Sequence, residues 1–506
     1  MASSDASRAR MNEERAWAEA AASAEGAWLV TTDRLGPYGP AYKPLLSWRG
    51  ARRGIIEGMG PVVLDPHVEV RGVEIAQAEL QGGDGAWTAV AWGDLDGASR
   101  APGDVRVRVH LDGGASGADV QVPPCAGRKT VTIDGQSVAS PPGPVVVHAG
   151  AGAHDVVLAI KVSPYERRVA CGHPVRVGTA GKTIEGLGVM TFASPHGASG
   201  GGKAVVFVPP GHDAGRPAVV LVGLHPWNGT MWTYASYAQL LGEAAARDVV
   251  VLLPSGLGNS LYTEGAEDEA MRALDALASV VAVDPWRVSI WGASMGGAGA
   301  TTVGLHHPDR FASITSYFGD SQYDLTTYVK GLLHDEAGAH AVNALDVVDN
   351  ARWVPVWLVH GEADRTSPIR QSELLANALQ ARSFPVRFDR APGMGHQGAL
   401  VAKFLTAVVD HAVTSMVAAA PPHVTYRSVR PQDTGAYGVH LTRASDATDA
   451  FVDVERRDDG VHVLRADGVK ALSLDPGALG TDRAHPVPFV NDTGHALVAT
   501  WAGTGG

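Results

Sequence analysis

One stretch of this 506-residue chain combines a reactive hydroxyl with the backbone needed to expose it: Trp286-Arg-Val-Ser-Ile-Trp-Gly-Ala-Ser-Met-Gly-Gly-Ala-Gly299. A short apolar run rich in β-formers ends at Trp291. A turn of small residues surrounds Ser294, and an Ala/Gly-rich segment of helical character follows. Gly292-Ala-Ser-Met-Gly296 fits the pattern G-x-S-x-G, in which a serine sits on a sharp strand-to-helix turn. Backbone in such a turn is strained, so the neighbours of the serine must be small. The turn lifts the hydroxyl above the sheet, at the positive end of the following helix. In a chain with 61 glycines the pattern alone is weak, and the flanking strand and helix give it weight.

A serine hydroxyl is a poor nucleophile at pH 7 and needs an adjacent base, itself held by a carboxylate. Behind an elbow of this kind the acid follows the serine in the chain and the histidine comes last. Asp364 lies just past an apolar run, in His360-Gly-Glu-Ala-Asp-Arg-Thr-Ser-Pro368. His396 lies in the glycine-rich loop Pro392-Gly-Met-Gly-His-Gln-Gly398. Asp364 could instead cap the helix that follows. Glu362 and Asp389 are alternative acids, the first too close to a strand end and the second alternating with apolar residues inside a strand.

A developing oxyanion also needs preorganised donors. The backbone N–H of Met295, after the nucleophile, is one. The loop His225-Pro-Trp-Asn-Gly229 should supply the other, and Pro226 has no N–H to give. That leaves Trp227, with Asn228 as the alternative, and His225 as a packing and hydrogen-bonding residue. Trp227, Trp232 and Tyr262 gather with Tyr234 and Tyr237 after the first two apolar strands. They could line an acyl or aryl pocket, or simply pack helices. His306-His307 and the scattered aspartates lack metal-ligand spacing, and no glycine loop ends in Lys-Ser/Thr. Neither metal nor cofactor is expected.

These residues need a scaffold, and the apolar pattern supplies one. Residues 218–225, 249–254, 288–291, 354–360 and 385–390 are continuously or mainly apolar, as in strands buried on both faces of a parallel sheet. Helical stretches at 234–247, 267–280, 297–306, 372–381 and 399–416 lie among them. Alternating strands and helices predict a doubly wound, mostly parallel α/β sheet over 186–420. Residues 55–185 read as a β-sandwich accessory domain: Val105-Arg-Val-Arg-Val-His-Leu111 alternates strictly, and turn signals separate further short strands. Such a domain could bind carbohydrate or shield the catalytic one. Residues 1–54 read as a helix over Met11–Ala27 and an irregular lead-in. Pro421-Pro422 opens a small C-terminal β domain, 421–506.

Length alone predicts two to four domains. A net charge of −12 argues against nucleic acid or anionic membrane as the main partner. No run of 18 apolar residues offers a membrane span. Residues 1–27 are charged and alanine-rich, without the apolar core of a signal peptide. The expectation is a cytoplasmic protein or a secreted one whose signal has been removed. Cys125 and Cys171 could form one disulfide, with free thiols the preferred reading, and homo-oligomerisation is left open.

Leu224-His-Pro-Trp-Asn-Gly, Asp284-Pro-Trp-Arg-Val-Ser-Ile-Trp-Gly-Ala-Ser-Met-Gly-Gly, His307-Pro-Asp-Arg-Phe-Ala-Ser, His360-Gly-Glu-Ala-Asp and Gly395-His occur in that order. Through them residues 186–420 resemble the prolyl-oligopeptidase-related branch of the α/β-hydrolases. That branch includes esterases of polyhydroxybutyrate-depolymerase and feruloyl-esterase type. The resemblance implies an α/β-hydrolase fold, Ser294, Asp364 and His396 as a catalytic triad, and Trp227 and Met295 as oxyanion donors. Pro226 departs from it, standing where such enzymes usually carry glycine. The tail from Pro422 to Leu474 is similar to a β domain that follows this catalytic domain in some bacterial members. The expected activity is hydrolysis of a small-molecule or polymeric carboxylic ester through an acyl-serine. The alternatives are a peptidase of prolyl-oligopeptidase type and an inert scaffold that binds carbohydrate or protein.

Overall fold

The structure is a computed structural model that describes residues 63–502, apart from 66, 96–102, 124, 126–128, 140–143, 163–168, 170, 172–173, 184–185, 197–200, 214, 264, 324–326, 483–484 and 486. The expected helix over 11–27 and the lead-in to residue 54 lie outside the described residues. Two compact units emerge. The first holds residues 60–214 and 229–255, and the second 215–228 and 256–506.

In the first unit the alternating pattern forms two antiparallel sheets. Gly103–Asp112, which contains the strictly alternating run, pairs along its whole length with Ala153–Val162 inside a six-stranded sheet. His67–Ile75, Val175–Thr183, Ala118–Val122 and Val145–Ala149 form a four-stranded sheet. Inward residues of both, among them Leu80, Val107, Val131, Leu158, Val120 and Val175, share one apolar core. Cys125 and Cys171 face each other across an isolated bridge and are joined as a disulfide. This corrects the expectation of free thiols. Closing a loop of 46 residues removes unfolded-state freedom worth about 4 kcal/mol in the chain-entropy account. An antiparallel ladder of Val63–Asp65, Gly186–Ala193, Gly201–Val208 and Val249–Pro254 completes this unit, with the helix Ala238–Ala246.

The second unit holds five parallel strands in the order Ala218–Leu224, Val283–Ala293, Ser313–Tyr317, Val356–Gly361 and Val386–Ala391. The first, third and fourth are buried at every position; the first and fourth read as unbroken apolar runs, whereas Ser313-Ile-Thr-Ser-Tyr317 does not and was not expected as a strand. Helices Gly265–Val280, Met295–His306, Arg370–Ala381 and Gly398–Thr414 run between and after the strands, each within two residues of the sequence expectation at both ends. Among the described residues no helix is long and apolar enough to cross a membrane.

Beyond Pro422, two four-stranded sheets close over a core of Val424, Tyr426, Val452, Val463 and Leu472. Ala312 and Val417 belong to the same core, so the tail shares its interior with the α/β part. A buried charge cluster strengthens the tie. The Arg430 guanidinium forks onto Glu267 at 2.5 and 2.8 Å and onto Asp433 at 2.9 Å. His307 Nε2 lies 2.6 Å from Glu267, and His306 Nδ1 lies 2.7 Å from Asp433. Tyr426 Oη donates to the carbonyl of His306, and Tyr437 Oη to that of Pro308. The segment leaving the helix Met295–His306 is therefore gripped by the tail.

Burial alone would push the Glu267 and Asp433 carboxyls up. The Arg430 charge, with hydrogen bonds from His307, His306 and Arg430, outweighs it and holds both well below the usual carboxylate range. Their folded pKa values are thus lower than the unfolded ones. The stability they supply is present above about pH 4 and is lost only as pH falls through the folded values. Arg430→Met leaves two buried carboxylates without their cation. It is expected to destabilise the second unit by about 3–5 kcal/mol at pH 7, measured as a shift in the urea midpoint by tryptophan fluorescence. A shift below about 1 kcal/mol would show the cluster to be dispensable.

Candidate active site

The strand Val283–Ala293 passes into the helix Met295–His306 with one residue between them, Ser294. Its backbone sits at φ 57° and ψ −121°, a conformation that bulky residues avoid. Two backbone bonds hold it there: Ser294 N–H donates to the Tyr317 carbonyl at 2.9 Å, and Ala298 N–H to that of Ser294 at 2.9 Å. The small neighbours are dictated by contact. A Cβ on Gly296 would lie 1.8 Å from the carbonyl oxygen of Leu224, and one on Gly292 would lie 2.3 Å from that of Gly296. Strand and elbow thus touch backbone to backbone.

His396 Nε2 lies 2.8 Å from Ser294 Oγ, and His396 Nδ1 lies 2.8 Å from Asp364 Oδ2. Asp364 is set by the loop after the strand Val356–Gly361, its side chain fully buried. Its Oδ1 accepts the N–H groups of Thr366 at 2.8 Å and Ser367 at 3.0 Å. The imidazole of His360 stands 3.5 Å from Oδ2. Burial would raise this carboxyl, but the bonds from His360 and His396, the His396 charge and the Thr366 amide lower it well below the usual range. Anionic Asp364 can only accept, so Nδ1 of His396 carries the hydrogen and Nε2 is left to accept from the serine hydroxyl.

The acid and histidine loops are tied to one another. Ala363 N–H donates to the Met394 carbonyl and Glu362 N–H to that of Ala391, at 2.9 and 3.1 Å. Phe318 packs on the His396 ring with centroids 4.4 Å apart, itself held at φ 39°. Ser367 Oγ donates to Asp320 at 2.6 Å. Burial pushes the Asp320 carboxyl up, partly offset by that bond. Phe318 and Asp320 were not legible in the sequence, since neither belongs to a motif or an expected strand there. The alternative acids stand elsewhere: Glu362 is exposed, and Asp389 accepts from Trp357 Nε1 at 2.7 Å.

Met295 opens the elbow helix, whose first N–H groups have no acceptor within the helix. In the loop after Ala218–Leu224, Asn228 N–H is engaged by Asn259 Oδ1 at 2.6 Å. Trp227 is half-buried. Tyr262 has no exposed surface and packs its ring on Gly256 and Gly299, so of the two readings open to it, lining a pocket or packing, it packs. Trp232 keeps only 6% exposure.

A strained serine at a strand-to-helix elbow over a parallel sheet defines the class: the chain is a serine hydrolase with an α/β-hydrolase fold. Residues 258–411, under a third of the chain, match the family model described as the prolyl oligopeptidase family. The chain is similar to an S-formylglutathione hydrolase from Agrobacterium tumefaciens, at 19% identity over 45% of this chain and 94% of that one, TM-score 0.39. It is similar to a fluorophosphonate-binding serine hydrolase of Staphylococcus aureus, at 17% identity over 45% and 98%, TM-score 0.40. A ferulic acid esterase aligns at 18% identity over 45% and 97%, TM-score 0.39. No curated protein matches the sequence.

The backbone contact at the elbow carries its own test. Gly296→Ala is expected to cost several kcal/mol, because neither the strand nor the elbow can withdraw. Gly242→Ala, with nothing within 4 Å of the added carbon, is expected to be neutral or stabilising by about 0.5–1 kcal/mol. Thermal melts of both check this, and an unchanged melt for Gly296→Ala would refute the crowding argument.

Proposed function

We propose that this chain hydrolyses a carboxylic ester through a covalent acyl-Ser294 intermediate, with His396 as general base and acid and Asp364 as its orienting carboxylate. The observation that carries the reading is the unbroken line Asp364–His396–Ser294, 2.8 Å at each link, ending on a serine at positive φ. Ser294 Oγ attacks the substrate carbonyl as His396 Nε2 takes its proton. The oxyanion lies against the N–H groups of Met295 and Trp227, and loss of one such donor raises the barrier by roughly 3 kcal/mol. Collapse expels the alcohol, protonated by His396. Water then attacks the acyl group by the same route in reverse.

The flanking architecture supports ester over peptide. Among the described residues, the region before the catalytic segment consists of sheets of six and four strands sharing a core, which we read as an accessory β-sandwich. It is not a ring of four-stranded blades that could screen peptides. The tail is read as a second β domain, integral to the catalytic unit. The disulfide favours an oxidising compartment. The match of residues 258–411 to the prolyl oligopeptidase family favours a second reading, a peptidase using the same residues.

A fluorophosphonate probe is expected to label the wild type and not Ser294→Ala, and Asp364→Asn should lower kcat by about 10³–10⁴. Absence of labelling in the wild type would leave a binding scaffold. A panel of p-nitrophenyl esters of rising chain length beside aminoacyl-p-nitroanilides separates the two hydrolytic readings. Ester turnover is expected, and turnover of anilides alone would reverse the choice.

A further inference from the structure

The loop that presents Trp227 lacks the glycine usual in the family it resembles, and its geometry is held by side chains instead. In a trans peptide the C=O of one residue points opposite to the N–H of the next, so whatever fixes the Pro226 carbonyl fixes the Trp227 N–H. His225 Nδ1 lies 2.9 Å from the Pro226 oxygen. A carbonyl can only accept, so Nδ1 is the donor. The next peptide is held as firmly. Asn228 N–H donates to Asn259 Oδ1 at 2.6 Å, and Asn259 Nδ2 donates back to Asn228 Oδ1 at 2.8 Å. Asn228 stands at φ 59°, a region asparagine tolerates better than most residues. With both flanking peptide planes anchored, the backbone torsions of Trp227 have little freedom.

Asn259 is itself buried, 1% exposed, in a loop under strain. Leu257, Leu261 and Tyr262 all lie at positive φ, between 52° and 55°. For such side chains each costs on the order of 1–3 kcal/mol and persists only when the surroundings enforce it. Here they do. Ser260 Oγ donates to the Gly256 carbonyl at 2.6 Å and accepts from Tyr262 N–H at 3.1 Å. Tyr262 Oη reaches the His225 carbonyl at 3.4 Å, and its ring lies against Gly299 of the elbow helix. One strained brace thereby ties the loop of Trp227 to the helix that begins at Met295.

We propose that Asn259 is a positioning residue for the oxyanion hole: it locks the Trp227–Asn228 peptide, and with His225 it aims the Trp227 N–H at the carbonyl undergoing attack. This rests on the reading of Trp227 as a donor. Asn259 touches no reacting atom. Its loss should weaken binding of the transition state while leaving binding of the ground state.

The test uses the full chain, a p-nitrophenyl ester and a boronic acid that forms a tetrahedral adduct with the serine. Fluorophosphonate labelling of the wild type comes first, and its failure sinks the underlying reading rather than this proposal. In labelled protein, Asn259→Ala is expected to lower kcat roughly 10- to 100-fold with KM within about threefold. Boronate affinity should fall by the same factor as kcat/KM. Asn259→Asp should be equally impaired, because its carboxylate faces the oxygen of Asn228. The double variant Asn228→Gly/Asn259→Asp removes that repulsion and keeps the acceptor, so it should recover about tenfold. The proposal is overturned if Asn259→Ala keeps its kcat, if the loss lies in KM, or if boronate affinity does not follow. Should Asn259→Ala fail to fold, equal kcat in Asn259→Asp and the double variant overturns it alone.

Discussion

The elbow works only because two backbones meet without side chains between them. The carbonyl of Leu224 occupies the space that a Cβ on Gly296 would need. This contact sets the height of Ser294 above the sheet, and so the reach of every group that must meet its hydroxyl. The strained torsion at Ser294 costs on the order of 1–3 kcal/mol. It is offset by the bond to Tyr317 and by a helix, Met295–His306, whose every residue is buried. A helix that crowded has no polar face, so helical amphipathicity could not reveal it in the sequence. Its small residues are its signal.

A helix buried all round needs its ends satisfied from elsewhere, and the C-terminal tail does this. Tyr426 covers the carbonyl of His306, Asp433 engages the His306 ring, and Arg430 engages Glu267, which in turn holds His307. Buried ion pairs add little net stability against a well-packed apolar alternative. Their value here is in register, since a carboxylate and guanidinium desolvated together tolerate only one docking of tail on helix. That explains why His306-His307 carry no metal-ligand pattern: their partners come from opposite sides, Glu267 earlier in the chain and Asp433 later.

Four of the five parallel strands were legible because strands buried on both faces leave apolar runs. Ser313–Tyr317, with two serines and a threonine, left none, and the expected strand 249–254 pairs antiparallel in the first unit. The elbow was legible because its steric demand selects residue types at fixed spacing. The catalytic candidates Asp364 and His396 follow from chain order, and the structure has His396 against Ser294 and Asp364 against His396. Contacts between distant segments left no such trace. Nothing in the sequence tells Cys125 and Cys171, 46 residues apart, that they will face each other. Asn259 reads as one more turn residue in Gly256-Leu-Gly-Asn. Tyr262 reads as a pocket or a packing aromatic because sequence shows its type but not the glycine surfaces that receive its ring. Asp320 follows the strand Ser313–Tyr317, and its hydrogen bond comes from a serine 47 residues later.

Those unseen contacts bear on how a proton would move in the proposed reaction. Asp364 already has the two amides of Thr366 and Ser367 on one oxygen, and His396 with His360 near the other. A carboxylate so satisfied is a weak base, which is why its pKa lies low despite burial. In the proposed reaction it would hold the imidazolium of His396 in place without taking its proton, which would remain available to the leaving alcohol. Asp320 behaves in the opposite way. Burial raises it, and among the described residues its hydrogen bond comes from Ser367. Two carboxyls within one loop network thus differ through their donors and not their type. The one fully supplied with N–H groups is the one that faces His396.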